Sequence, residues 1–188
     1  LSGVKPLVRL SSNNSEQIKR VMDSGAHGII VPMVKTEKEA RQAIDAVHYP
    51  PLGNRSVGLA RAQEYGVGFQ KYFEWQKENV MVLVQIEHIE AVENIDAIFS
   101  VEGLSGYIIG PYDLSASMGI PGQFDHIKFI DALEYILEAC KNADFSIYIG
   151  KDEIYIDNKF SYDAANILLK IGAKNILIKG GHLNTKTV

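Results

Sequence analysis

The sequence predicts an α/β domain built from parallel βα repeats. Three observations carry this. Short apolar runs alternate with helical patterns along the chain; runs such as VMVLVQI over residues 80–86 are apolar at nearly every position rather than at every second one; and polar residues able to do chemistry gather just after the runs. Continuously apolar strands belong to parallel sheets covered on both faces. Sites in such folds lie at the C-terminal ends of the strands. From the residues alone, a (β/α)8 barrel and a doubly wound sheet fit equally.

The elements follow in order. Residues 4–9 read as a strand, and 15–24 as a helix with Ser15 as its cap and Gly25 as its stop. Residues 28–31 form the next strand, closed by Pro32, and 36–47 a helix opened by a Thr36/Glu39 capping box. Residues 48–68 are irregular and rich in Pro and Gly; so long a connection in a compact domain is often functional. A helix is expected over 69–77, the strong strand over 80–86, helical structure over 88–100 and a short strand over 107–109. The segment GPYDLSASMG comes next, then a long helix over 125–141 and a strand over 145–149. Beyond Gly150 the texture becomes polar and aromatic, with a helix over 162–171 and a strand over 176–179 before Gly180 and Gly181. Neither GxGxxG after a strand nor GxxxxGK[ST] occurs, so both nucleotide-loop signatures are missing.

Composition narrows the class. A chain of 188 residues suits one domain, with a second only if small, and 46% hydrophobic residues can build a sizeable core. The net charge is −4, with Lys and Arg scattered among Asp and Glu, which argues against a nucleic-acid partner. No apolar run approaches the ~20 residues of a membrane span. The opening LSGVKPLVRL lacks the order of a signal peptide. Cys140 is the sole cysteine, so neither an intrachain disulfide nor a cysteine metal cluster is expected, and a reducing, cytoplasmic setting is the default. Leu1 rather than Met opens the chain, and GGHLNTKTV closes it without a clear terminal element, so both ends read as cut.

Glu87 directly follows the strand VLVQI, and Asp113 sits just past YIIG. If both strands are parallel, both carboxylates emerge at one end of the sheet. Two carboxylates without a cysteine or histidine cluster suit a hard divalent cation, Mg²⁺ or Mn²⁺. The plainer alternatives are a helix N-cap for Asp113 and a strand-end salt bridge for Glu87. Arg9 ends the first strand, where a guanidinium can clamp a substrate carboxylate through two hydrogen bonds or form a surface ion pair. Gly110, ahead of Pro111 and Asp113, allows close backbone approach to a ligand or simply makes a turn. Arg55 and Arg61, in the long loop, fit anion binding and pinning of the loop to its own carbonyls equally well. His27, His48, His88 and His126 are not at metal-ligand spacing and read as structural or solvated. Trp75 reads as helix packing and Cys140 as a packed, inert thiol.

Four segments taken in order carry a family resemblance: VRLSSNNSEQIKRVMDSGAHGIIVPMV, HYPPLGNRSVGLARAQEYG, VLVQIEHIEAVENID and GYIIGPYDLSASMGIPGQFDH. Together they resemble the HpcH/HpaI aldolases, with citrate lyase β-subunits as distant relatives, over about residues 4–141. The resemblance implies a (β/α)8 TIM barrel, here partial, lacking the first strand and the usual last strands. It implies a metal-dependent carbon–carbon lyase acting through pyruvate, with Mg²⁺ or Mn²⁺ as cofactor, Co²⁺ a further option, and a homo-oligomer. Carried over by motif, Glu87 and Asp113 would hold the metal. Arg9 would bind pyruvate and polarise its keto group. Gly110, Pro111 and Asp113 would flank the substrate carboxylate.

Two departures accompany the match. The family's acid–histidine segment on its first strand has no counterpart here, and acid–base assistance of that kind contributes about 10²–10⁴-fold. The stretch YDAANILLKIGAKNILIKGGHLN instead resembles part of hydroxymethylpyrimidine phosphate kinase, with Lys179 as the matching lysine. The expected division is therefore an aldolase part over 1–149 and a kinase-like βα segment over 150–188, with a non-catalytic chimera as the alternative to a lyase.

Overall fold

A computed structural model describes residues 5–143 of the chain. The strand over 145–149 and the whole kinase-like segment lie outside the described residues. Four parallel strands, β1 (Leu7–Arg9), β2 (Gly28–Val31), β3 (Met81–Ile86) and β4 (Gly106–Ile109), lie side by side in chain order. Register is continuous across the sheet, with Arg9 opposite Ile30, Ile30 opposite Leu83, and Ile86 opposite Ile109. A doubly wound sheet reverses its strand order at a switch point. No reversal occurs among the four described strands.

The helices are α1 (Ser15–Asp23), α2 (Glu37–Val47), α3 (Phe69–Asn79), α4 (Ile89–Glu93), α5 (Ile95–Phe99), α6 (Pro111–Ser117) and α7 (Ile127–Asn142). α1 packs on α2, α2 on α5, and α5 on α7, so the helical layer advances in step with the strands. Side chains alternate between the two faces of a strand. Ile29, Val31, Val82, Val84 and Ile86 accordingly join the helices in one core with Ile18, Met22, Ala40, Ile44, Ile98 and Leu133. Leu83 and Gln85 are also buried but project to the opposite face, the side of Arg9. On the helical side Tyr107 packs against Phe99. Burial first, then the neighbouring Cys140, pushes the Tyr107 phenol far above its ordinary range. Cys140 is buried and free, a packing thiol as expected.

Several boundaries differ from those expected. β1 is shorter than the predicted strand. The cap of α1 is Asn14, not Ser15; the Asn14 side chain accepts from the Gln17 N–H, while Ser15 already has helical geometry. The Thr36/Glu39 capping box of α2 is present in full. The helix predicted over 88–100 breaks at Asn94, whose amide donates to the carbonyls of Lys35 and Glu90. The last described helix starts at Ile127 because His126 is its cap.

The long connection is more ordered than its composition suggests. A 3₁₀ segment, Arg61–Gly66, interrupts it, with left-handed backbone at Glu64 and Tyr65. Arg55 is 2% exposed and donates to the Val47 carbonyl at 3.0 Å and the Tyr72 hydroxyl at 3.1 Å. Its guanidinium lies 4.1 Å from the centre of the Tyr49 ring and 3.8 Å from Asp23. Gln63 donates to both Asp23 and Tyr49. Arg55 does pin the loop, but to α2, α3 and α1 rather than to the loop's own carbonyls. Arg61 is exposed at the start of the 3₁₀ segment.

Candidate active site

The rim at the C-terminal ends of the strands gathers the residues singled out by sequence. Glu87, the first residue past β3, is 1% exposed. Its Oε1 accepts the backbone N–H of Met33 at 2.9 Å, from the turn that follows β2. On its other side lies Gly110, the first residue past β4. A Cβ placed on Gly110 would stand 2.6 Å from Glu87 Oε2 and 3.1 Å from Gln85 Nε2, so only glycine fits. Gly110 has φ −99° and its N–H donates to the Ile86 carbonyl; room beside Glu87, not unusual backbone, is what this position requires.

Asp113 does not cap its helix. Gly110 is the N-cap of α6 and Pro111 its first residue, which places Asp113 exposed in the first turn. A proline suits that position because its missing N–H would have had no helical partner. The rim is tied together locally. The Ile89 N–H, just past Glu87, donates to the Ser117 hydroxyl of α6 at 2.8 Å. Thus the segment carrying Glu87 and the helix carrying Asp113 are joined, and both follow adjacent parallel strands.

Arg9 lies at the end of β1, on the face opposite the helical core. Its Nε donates to Gln85 Oε1 at 3.3 Å. Gln85 is a residue that sequence reading passed over. The available signal was an amide inside an otherwise apolar strand that is buried on both faces. Burying such an amide is costly unless it is hydrogen-bonded, and Arg9 supplies a bond.

The described histidines are engaged elsewhere. His88 and His126 cap α4 and α7. His27 meets the edge of Trp75. His48 pairs with Gln76 at 2.9 Å, and its pKa is lowered, chiefly by burial. Among the described residues, no group of three or more His, Cys, Asp and Glu side chains could hold a metal ion. A cation at this rim would draw on Glu87 and Asp113, hard oxygen donors, and complete its shell with substrate and water. The Glu87 carboxylate, a hard oxygen donor held buried at the rim, fits such an ion.

The family model described as HpcH/HpaI aldolase/citrate lyase matches residues 1–167, and the chain belongs to that family. Among curated relatives, it is 43% identical over 138 residues to the 2-keto-3-deoxy-L-rhamnonate aldolase of Salmonella gallinarum, a stretch covering 72% of this chain and 50% of the relative. The chain thus spans about half the length of the curated relatives it matches. The solved HpcH/HpaI aldolase of Desulfitobacterium hafniense is similar with a TM-score of 0.76 and 30% identity, covering 95% of this chain and 67% of that one. A HpcH/HpaI aldolase/citrate lyase family protein from Burkholderia cenocepacia gives a TM-score of 0.77 at 26% identity, covering 93% and 66%. No helix among the described residues is long and apolar enough to cross a membrane.

Proposed function

We propose that the chain carries the metal- and pyruvate-binding part of an aldolase that cleaves 4-hydroxy-2-oxo acids, reversibly, to pyruvate and an aldehyde. The single observation behind this reading is the buried Glu87 carboxylate at the strand rim, packed so closely against Gly110 that no Cβ would fit between them. In the cleavage, the C4 hydroxyl loses its proton, the C3–C4 bond breaks, the aldehyde departs, and the electron pair passes to the C2 keto oxygen before a proton returns to C3. A divalent cation held by Glu87 and Asp113 would act as a Lewis acid on the substrate's carboxylate and keto oxygens. Arg9, steadied by Gln85, sets a fixed positive charge where that negative charge develops. Gly110, Pro111 and Asp113 flank the substrate carboxylate. The 2-keto-3-deoxy sugar acid named for the curated relatives is an acid of this class, and favours sugar-acid substrates over simpler ones.

On this reading the four described strands are part of a (β/α)8 barrel wall, residues 1–149 form the aldolase part, and the assembly is a homo-oligomer. The test has two arms. Titration calorimetry should detect Mn²⁺ binding that Glu87→Ala or Asp113→Ala abolishes. Pyruvate release from a 4-hydroxy-2-oxo acid, coupled to lactate dehydrogenase, should depend on the metal. Metal binding without any pyruvate release would favour the non-catalytic alternative; no Glu87-dependent metal binding would end the aldolase reading.

A further inference from the structure

We propose that Met33 is a positioning residue whose strained backbone aims the Glu87 carboxylate; this rests on the reading of Glu87 as a metal ligand. Three non-glycine residues among those described have positive φ: Met33, Glu64 and Tyr65. Glu64 and Tyr65 lie together in the 3₁₀ segment of the long loop. Met33 alone of the three stands at the rim, with φ +54°. A turn carries it past Pro32, and the position after such a proline, when φ is positive, ordinarily selects Gly or Asn. Met has neither the small size nor the local hydrogen-bonding side chain that makes this conformation easy.

Packing does not account for the choice. Met33 is 44% exposed. What the conformation does is direct the Met33 N–H at Glu87 Oε1, 2.9 Å away and 54 residues further along the chain. Gly110 crowds the same carboxylate from the opposite side, with room for no Cβ. The carboxylate is therefore set between a donor on the β2 turn and a close-fitting glycine past β4. Its rotation is limited from two directions before any ion arrives. An unusual backbone conformation that survives at a site is a reason to look for such a role.

The contact and its consequence are tested separately, on the full chain. In an ¹H–¹⁵N spectrum without metal, the Met33 amide should be shifted downfield and protected from exchange, and Glu87→Gln should move it upfield. An unmoved resonance overturns the inference whatever the metal does. For the consequence, Mn²⁺ affinity is compared across Met33→Gly, Met33→Val and Met33→Pro, each checked for folding by circular dichroism. Glycine accepts positive φ and keeps the N–H, valine resists the conformation, and proline removes both the conformation and the donor. Loss of a group that orients a metal ligand typically costs about 10–100-fold in affinity. Met33→Gly should therefore bind Mn²⁺ at least about tenfold more tightly than Met33→Val or Met33→Pro. Equal affinities in all three would overturn the positioning role. Absence of Mn²⁺ binding in the unmodified chain would count against the aldolase reading itself, and the amide resonance would still decide the contact.

Discussion

Arg9 and Gln85, 76 residues apart in sequence, meet at 3.3 Å on the face of the sheet away from the helical core, the guanidinium Nε donating to the amide oxygen. β2 lies between their strands, so the contact spans the sheet above Ile30. The amide fixes one edge of the guanidinium. On the proposed function, the other N–H groups of Arg9 would meet the substrate carboxylate.

Replacing Gln85 with Leu keeps the buried volume and removes the acceptor. The chain should still fold, while Arg9 loses its fixed orientation. A hydrogen bond to a charged group contributes about 1.5–3 kcal/mol, so pyruvate affinity of the Mn²⁺-loaded protein should fall by roughly tenfold or more. Titration calorimetry with pyruvate reads this directly. Unchanged affinity would show that Arg9 needs no support from Gln85.

Gly110→Ala is expected to act through space, not backbone. The added methyl would press on Glu87 Oε2 at 2.6 Å, Glu87 Cβ at 2.7 Å and Gln85 Nε2 at 3.1 Å. Overpacking of this kind costs about 1–3 kcal/mol of stability. Displacing the carboxylate should also lower Mn²⁺ affinity, by about 10–100-fold. Urea unfolding and metal titration measured together check both; an alanine variant with normal metal affinity would mean that Glu87 can shift without consequence.

These residues were not equally legible in the sequence. Glu87, Asp113 and Arg9 stood out because each follows an apolar run, and parallel strands bring such positions to one rim. The Thr36/Glu39 box was readable because its bonds are local. Gln85 was hidden inside a strand, where the eye takes a polar residue for an interruption. Met33 could not be found, since VPM gives no sign that the methionine has a positive φ. Arg55 was ambiguous for another reason. Its partners Val47, Tyr49, Tyr72 and Asp23 come from three helices and the long connection, and only the packed chain brings them together.

Arg55 supplies a stability prediction independent of catalysis. It is fully enclosed, paired with Asp23, bonded to Val47 and Tyr72, and stacked on Tyr49. Arg55→Ala removes all of these at once and leaves a hole between two aromatic rings. Losing one partner of a buried charged pair costs about 3–5 kcal/mol; Lys19 and Gln63 remain on Asp23, so the lower end, about 3 kcal/mol, is expected. A drop smaller than about 1 kcal/mol in chemical denaturation would show that the loop is not pinned by this residue.

His48 sets the expected pH dependence of folding. Its ring is buried, and Nδ1 lies 2.9 Å from the Gln76 oxygen, whose own amide nitrogen donates to the Phe73 carbonyl. That orientation asks for a proton on Nδ1, which the neutral and the charged ring can both supply; burial is what favours the neutral ring. Burial lowers the pKa most, and the nearby Arg55 lowers it further, against opposing contributions from Gln76 and Asp45. In the unfolded chain the ring titrates at its ordinary value of 6.5. As pH falls through 6.5, the unfolded state binds a proton that the folded state does not, so stability declines. The decline ends once pH passes below the lowered folded value. Above 6.5 the residue contributes no pH dependence. His48→Gln removes the titration, so the stability gap between the unmodified chain and the variant should narrow on going from neutral to mildly acidic pH. Urea unfolding across that interval measures the gap. A gap that widens as the pH falls would mean that the folded state holds the imidazolium more readily than water does, contrary to the burial seen here.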